Sequence, residues 1–569
     1  MKNLKNIKYW FCLALVGIIS GCSDDFLEVL PQDAVVDANY YKNDEQVLAG
    51  TSLLYNVVWF EYNNAASFAL GDFRGGTAYS AYNLQDYVRF NVTPNSAEMS
   101  QAWKSFYTVI GQSNTIISNI NQYAGEEVSD NIKKHAIAEA RFMRALAYRY
   151  LVLNWGEVPI IENNLTLLND PLSVRKNTEE SVWKFITNDF RAAAEGLPET
   201  AIEKGRLTKW SAEGMLARTY LTRAGVNAAP NSKNQVFLDS AKYYSQRVIE
   251  LSGASLLENY SDLFQGNYDN NTESLFSLQW NFSSLPGDAY YGKSNSVPAS
   301  LAYHSTIGND DGWGGDKSAT FWMLSLYDGI EMINDFTLEG NTADKRLKAT
   351  FMLPGMYYEN MSYANADGKI EQGFTYPYAV NENGDVSYAA IKKYVPGKLS
   401  ASEAGMQNYG LDTYMLRLAE VYLIYAEAVL GNNTSTTDAT ALNYFNEVHE
   451  RATGQQFSGA LTFDDIFKER TKEFAMEGVI WYDLVRLHYY NPEEAYKKIR
   501  EQNRGAFYIE PNQYPNPTSW KIIEVGYWED TTPRYYEATS GNFRLPLPAS
   551  EVSTAPNLNE PAVDYYKAQ

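Results

Sequence analysis

The spacing of hydrophobic residues predicts a long helix over 135–155. Phe142, Leu146, Tyr150 and Leu153 recur at helical intervals and would line one face of it. Alanines between them leave room for a neighbouring helix to approach closely. Gly156, followed by Val-Pro, ends the pattern, because glycine favours helix termination and the residue before proline disfavours helical backbone.

The same alanine- and tyrosine-rich pattern, ending on glycine, recurs at 212–225 and 418–431. Further helical patterns precede or follow these three, at 43–60, 96–123, 177–190, 236–251, 437–452, 462–477 and 479–487. Recurring helices, each preceded by another helix, are typical of stacked helix pairs. The predicted fold class is therefore mainly α, with a paired-helix scaffold at about 96–256 and 412–490.

Three stretches lack helical periodicity, at about 61–95, 258–411 and 491–541. The first is predicted to be a structured, exposed loop. The second is too long for a bare loop and contains strand-like pieces such as 274–280, so it should form an elaboration packed on the helices. The proline-rich end of the chain should lie extended over the body.

The N-terminus has the pattern of a lipoprotein signal peptide over residues 1–21. Three lysines precede a short apolar run, and small residues then lead into Cys22, which would carry the lipid. The other cysteine, Cys12, lies inside the segment that would be removed. Residues 22–569 are then predicted to form one domain, with neither a disulfide nor a cysteine-ligated metal and with a lipid anchor as its membrane attachment.

Charge and histidine content argue against several classes of protein. The formal net charge of −22 makes the chain a poor partner for nucleic acid, which rewards clustered lysine and arginine. Its four histidines lie far apart in sequence, with no metal-ligand spacing. No cofactor, metal or catalytic residue is predicted.

Several motifs, in order along nearly the whole mature chain, resemble the RagB/SusD family. They include AEARFMRALAYRYLVLNWGEVP, LRLAEVYLIYAEAVLG, ERTKEFAMEGVIWYDLVRL and the terminal RLPLPASEV with APNLNEP. The resemblance implies four TPR-like helix pairs in a right-handed superhelical scaffold that carries an irregular glycan-binding face. It also implies a nonenzymatic, surface-exposed lipoprotein of the Bacteroidetes outer membrane, which captures oligosaccharide or polysaccharide and delivers it to a SusC-like TonB-dependent transporter.

In that family, ligand contacts come from the early loop and the mid-chain insertion, here about 61–95 and 280–330. Sugars need aromatic faces for their C–H surfaces and planar polar groups for their hydroxyls. The ligand-binding residues predicted on this basis are Asp72, Arg74, Tyr79, Tyr82, Trp280, Tyr290, Tyr291 and Trp313. Trp313, set among glycines and acids, could instead fold inward in a tight turn. Asp72 and Arg74 could instead form an ion pair that fixes the loop.

Other features have simpler interpretations. Asp310, Asp311 and Asp316 could ligate calcium, but the EF-hand pattern is absent, which favours a solvated acidic turn. The tryptophans on helices are predicted to be packing residues: Trp103, Trp155, Trp183, Trp210 and Trp481. Glu469, Arg470, Glu473 and Glu477 are expected on a solvated helix face.

Two other functions stay open beside glycan binding. One is an uptake lipoprotein on the same scaffold that binds a peptide or protein. The other is an all-helical glycoside hydrolase, which would need two carboxylates beside a cleft.

Overall fold

The computed structural model describes residues 40–80, 84–282, 292–308, 312–377, 388–399, 407–505, 507–509, 520–524 and 535–566. Within these ranges the chain is mainly helical, with small sheets between the helices. The helices are α1 (Asp44–Thr51), α2 (Gln85–Val88), α3 (Ala97–Tyr123), α4 (Asp130–Trp155), α5 (Asn164–Asn169), α6 (Glu179–Gly196), α7 (Lys209–Arg223), α8 (Gln235–Leu251), α9 (Val297–Leu301), α10 (Phe321–Ser325), α11 (Lys345–Thr350), α12 (Leu418–Leu430), α13 (Ala439–Thr453), α14 (Phe463–Phe474), α15 (Ile480–Tyr490), α16 (Pro492–Arg500) and α17 (Ala549–Thr554).

The predicted long helices are confirmed except at 43–60, where the α-helix stops at Thr51 and 3₁₀ turns follow. The helix ends follow from local chemistry. The hydroxyls of Thr208 and Thr462 begin α7 and α14, each within a reciprocal capping box. Gly156 and Gly431 end α4 and α12 with positive φ, where a side chain would be strained.

The long helices form one connected series. Helix α3 packs on α4, α4 on α6, α6 on α7, α7 on α8, α8 on α12 and α12 on α13. Helix α4 is buried over most of its length, since neighbours cover it on several sides. The five tryptophans predicted to pack on helices are all buried.

The strands form five small sheets among the described residues, mostly from the mid-chain insertion. The strands are β1 (Ala78–Ser80), β2 (Ser274–Leu278), β3 (Lys317–Ala319), β4 (Ile330–Asn334), β5 (Thr337–Gly340), β6 (Phe351–Met352), β7 (Tyr357–Ala364), β8 (Ile370–Thr375), β9 (Ala390–Ile391), β10 (Thr413–Arg417), β11 (Ser435–Thr436), β12 (Leu461–Thr462), β13 (Phe507–Ile509) and β14 (Trp520–Glu524). Strand orders are β1-β3-β9-β6, β10-β2, β11-β12, β13-β14-β5-β4 and β7-β8. Paired neighbours are antiparallel, as in the pairing of β1 with β3. The predicted strand at 274–280 is β2.

The early segment is not the exposed loop that its sequence predicts. After α1, the chain forms short 3₁₀ turns and two π-helical turns, Tyr62–Ala66 and Ala69–Phe73, and most of both π-turns is buried. The reason is a close backbone contact: a Cβ on Gly71 would lie 2.4 Å from the Cα of Gly478. Wide π-turns and glycine let this segment pack directly on the turn after α14.

The stretch 491–541 is more regular than predicted, because Asn491 caps α16 and β13 and β14 follow it. The C-terminal tail does lie across the body, with one short helix, α17, on its path. The N–H of Leu545 donates to the carbonyl of Asn154 at 2.7 Å, and the N–H of Val563 donates to that of Lys176 at 2.9 Å.

The charged face of α14 is buried, not solvated as predicted. Glu473 is fully buried and pairs with Arg346, Arg417 and Arg451 at 3.2, 3.0 and 2.5 Å. Burial by itself opposes ionisation of this carboxyl, but the guanidiniums outweigh it and lower the pKa of Glu473 to about 2. Glu469 and Arg470 are equally buried, so this helix joins the core through ion pairs.

Candidate functional site

Trp313 is the one predicted tryptophan that the structure exposes, with 57% of its surface accessible. Its backbone is held at both ends: its N–H donates to the Ala299 carbonyl and its carbonyl accepts from Lys317 Nζ, both at 3.0 Å. Gly312 and Gly314 pack closely against the backbone of another part of the chain. A Cβ on either would come within 2.3 Å of His304 or Leu301 backbone atoms. The glycines therefore let the backbone pack inward while the indole faces out.

A cavity of about 280 Å³ lies beside this indole, and we call it the Trp313 shelf. Its apolar wall comes from the π-turn segment, the residue before α2 and helix α9: Ala65, Phe68, Phe73, Leu84 and Leu301. Its polar lining residues are Asn64, Glu98, Ser300, Lys317 and Gln407. An exposed ring above an apolar floor, with amide, hydroxyl and charged groups around it, suits a ligand that has both apolar faces and hydroxyls.

Asp72 lies in the core. Its Oδ1 accepts from the Met476 N–H and the Thr77 hydroxyl at 2.7 and 2.8 Å, and its Oδ2 accepts from the Gly478 N–H at 2.7 Å. Burial raises the pKa of this carboxyl to about 6, even though the donors oppose the shift. Direct ligand contact by Asp72 stays a prediction that would require the residues covering it to move.

Arg74 is also buried, and its partner is not Asp72. Its Nη1 donates to Asn154 at 3.0 Å and its Nη2 to the Asn542 carbonyl at 2.8 Å. The guanidinium carbon lies 4.0 Å from the Trp481 ring centroid. Burial lowers the pKa of Arg74 to about 9. Arg74 therefore ties the early segment to the scaffold and to the C-terminal tail.

Tyr79 and Trp280 lie inside as well. Tyr79 is paired with Ser318 in the β1–β3 ladder. The Trp280 indole N–H donates to the Thr413 hydroxyl at 3.2 Å, and its backbone N–H donates to Asp412 at 3.1 Å. The Trp280 ring meets that of Phe60 edge to face at 6.4 Å. Neither residue lines the Trp313 shelf, and ligand contact by either stays a prediction.

Tyr82, Tyr290 and Tyr291 lie outside the described residues, as do Cys22, Asp310 and Asp311. Asp316, the third acid of the weighed calcium site, accepts from Ser80 at 2.6 Å and from Lys317 at 2.8 Å. Across the described ranges, no group of three or more potential metal-ligating side chains was found.

A second and larger cavity, of about 730 Å³, was not predicted from the sequence. We call it the Phe282 groove, after a phenylalanine that is 52% exposed. Its other lining residues are Asp262, Gln265, Gly266, Asn267, Tyr268, Asp269, Asn360, Ser362, Gln372, Pro396, Leu399, Tyr409, Gly410 and Leu411. Phe282 lies inside the predicted ligand region, and its aromatic character was the available signal.

Two carboxyls lie close together at this groove, which one of them, Asp269, lines. Asp269 Oδ1 accepts from the Asp412 N–H at 3.1 Å, and Asp412 Oδ2 accepts from Asn270 at 3.1 Å. Burial raises the pKa of Asp269 to about 7. Burial, together with repulsion from Asp269, raises the pKa of Asp412 to about 8. Both carboxyls therefore take up protons near neutral pH.

None of the helices in the described ranges combines the length and apolar character needed to cross a bilayer.

Two family models match the chain. One, described as the SusD family, matches residues 272–565, and the other, described as starch-binding associating with outer membrane, matches residues 25–221.

Individual relatives match over most of their length. A SusD-like protein of Bacteroides ovatus is 37% identical over 565 residues, covering 96% of each chain. The starch-binding protein SusD of Bacteroides thetaiotaomicron is 25% identical over 431 residues, covering 70% of this chain and 73% of its own. A crystal structure with xylogluco-oligosaccharide is 33% identical and superposes with a TM-score of 0.77, covering 92% of this chain and 100% of that one.

Proposed function

The chain belongs to the SusD family of non-catalytic binding proteins, and from that premise we propose that it captures oligosaccharide or polysaccharide at the cell surface. The observation that carries the proposal is the Trp313 shelf, where a ring that is 57% exposed stands over an apolar floor. A glycan would stack a sugar face on the indole and place its hydroxyls against Asn64, Lys317 and Gln407.

The ligand class follows from the shelf's chemistry and from its relatives. Stacking on a ring is worth on the order of 0.5–1.5 kcal/mol, so one platform binds weakly and releases readily. Weak, reversible binding suits a protein that must pass its ligand on. Xyloglucan and starch are the first glycans to test, because relatives of this chain are described with xylogluco-oligosaccharide and starch.

The proposal includes the scaffold and the place of action. The series from α3 to α13, continued by α14 and α15, supports four TPR-like helix pairs in a right-handed superhelix. Residues 1–21 would be removed as a signal peptide, and Cys22 would carry the lipid that anchors one domain, 22–569, to the outer membrane. A SusC-like TonB-dependent transporter would receive the glycan.

The test compares Trp313→Ala with the unchanged protein in affinity gels and calorimetry on xyloglucan and starch. We expect affinity for the bound glycan to fall roughly two- to tenfold, because the variant loses the stacking contact on the indole. The melting temperature should stay within a degree or two, since the indole is largely exposed. Tyr243→Ala, on α8 and 56% exposed, is the matched control and should bind normally.

Two further measurements, together with the variant, separate the alternatives. New reducing ends released from the glycan would indicate a hydrolase, and family membership argues against this. Binding on a peptide array, with no response to any glycan, would favour a peptide- or protein-binding protein on the same scaffold. Unchanged glycan affinity in Trp313→Ala would reject the shelf as the site.

A further inference from the structure

The Phe282 groove has the composition of a carbohydrate site, although nothing in the proposed function uses it. Three large apolar side chains are exposed along it: Phe282 at 52%, Leu399 at 49% and Tyr268 at 37%. Solvent-exposed apolar side chains that cluster in one cavity are typical of a binding surface, whereas single scattered ones are not.

Amides surround these apolar groups. Asn267, Asn360 and Gln372 are exposed in the groove and come from three separate elements: a 3₁₀ turn, β7 and β8. Each amide presents a donor and an acceptor, which matches the adjacent hydroxyls of a sugar ring. Planar amides interspersed with apolar faces favour a glycan over a purely apolar ligand.

One donor in the groove lacks a partner. Among the described residues, Gln265 Nε2 has no hydrogen-bond partner, although that atom is shielded from solvent. A buried N–H without a partner costs on the order of 1–3 kcal/mol. Turning of the Gln265 side chain toward the groove, which this residue lines, would bring the amide to a sugar hydroxyl.

We propose that the Phe282 groove is a second oligosaccharide subsite, distinct from the Trp313 shelf. The inference rests on the proposed function, because it assumes a glycan ligand. The two cavities have no lining residue in common. The segment 407–411 contributes to both, since Gln407 lines the shelf while Tyr409, Gly410 and Leu411 line the groove.

Two weak subsites on one chain predict a dependence of affinity on ligand length. A polysaccharide that engages both gains affinity by effective concentration, whereas a short oligosaccharide occupies each subsite independently. A substitution that disables the groove should therefore weaken polysaccharide binding more than it weakens oligosaccharide binding at the shelf.

The test uses Phe282→Ala, Trp313→Ala and the double variant, on xyloglucan and starch in affinity gels and on their oligosaccharides in calorimetry. We expect Phe282→Ala to lower polysaccharide affinity roughly two- to tenfold, the value of one aromatic contact. Trp313→Ala should keep residual binding that the double variant loses. Phe282→Tyr should restore binding, since it returns the ring face.

Phe336→Ala is the matched control, because Phe336 is 38% exposed on the β4–β5 hairpin and lines neither cavity. Normal polysaccharide affinity in Phe282→Ala, with no further loss in the double variant, would overturn the second subsite and leave the shelf standing. Failure of the unchanged protein to bind any glycan would overturn both proposals. Equal melting temperatures show that each comparison is between folded proteins.

Discussion

The carboxylate of Asp72 accepts the backbone N–H of Gly478 at 2.7 Å, across 406 positions of sequence. It also accepts the N–H of Met476 at 2.7 Å. Met476 and Gly478 both have positive φ, at 65° and 72°, and Met476 is strained there because it carries a Cβ. Asp72 thus holds the strained turn between α14 and α15 against the early π-turn.

Replacing Asp72 by Asn should destabilise the fold. The amide keeps one acceptor, but its NH₂ faces a backbone N–H, which leaves a buried donor unpaired at a cost of about 1–3 kcal/mol. Thermal unfolding should show a lower melting temperature, while glycan binding by the folded protein persists. The exposed Asp86→Asn is the control. Loss of binding with unchanged melting would instead assign Asp72 to the ligand.

Glu473→Gln should be more damaging, because it leaves Arg346, Arg417 and Arg451 with less buried negative charge. Breaking a buried ion pair on one side costs about 3–5 kcal/mol. The lowered pKa of Glu473, about 2, means that its stabilisation is present above pH 4.5 and is lost as pH falls toward 2. Across that window, the melting temperature should fall more steeply with decreasing pH for the unchanged protein than for the variant. Glu447→Gln, which is exposed on α13, should melt and respond to pH like the unchanged protein.

Asp269→Asn should stabilise the protein at alkaline pH. The pKa values of Asp269 and Asp412 are raised to about 7 and 8, so the folded state holds protons that the unfolded chain has released. Stability therefore falls as pH rises from about 4 through 8. The amide introduced by this substitution keeps the acceptor for the Asp412 N–H and removes one charge of the pair.

The measurement is the melting temperature of Asp269→Asn from pH 5 to pH 9. Its difference from the unchanged protein should grow with pH. The groups around the pair are Asn270, Gln279 and Lys204, and of these only the lysine carries charge. Asp239→Asn, exposed on α8, should show no such trend, and a pH-independent difference for Asp269→Asn would contradict the assignment.

Truncation of Trp280 should lower stability, whereas truncation of Trp313 should lower glycan affinity. Trp280 is 5% exposed and Trp313 is 57% exposed. Trp280→Ala should cost about 3–5 kcal/mol of stability through the cavity that it leaves. Trp280→Phe should melt at an intermediate temperature and still bind glycan. A Trp280→Phe protein that melts normally but has lost glycan affinity would place this ring in contact with the ligand.

The family and the helical scaffold were open to prediction from sequence. The helix around Phe142 and Leu146 and the cap at Thr462 depend on residues within a turn or two of each other, so periodicity and capping rules find them. The resemblance to the RagB/SusD family is confirmed. The sequence allowed Trp313 to be either exposed or folded inward, and the structure shows that it is exposed.

What the sequence by itself determined is where helices begin and end and which family the motifs indicate, because both are written in local spacing. Only the tertiary structure decided that Glu473 is buried among three arginines and that Asp72 clamps a distant turn. It also decided which aromatic rings stay outside. Burial and pairing depend on groups tens to hundreds of positions away, and no local pattern records which distant backbone or guanidinium will meet a given side chain.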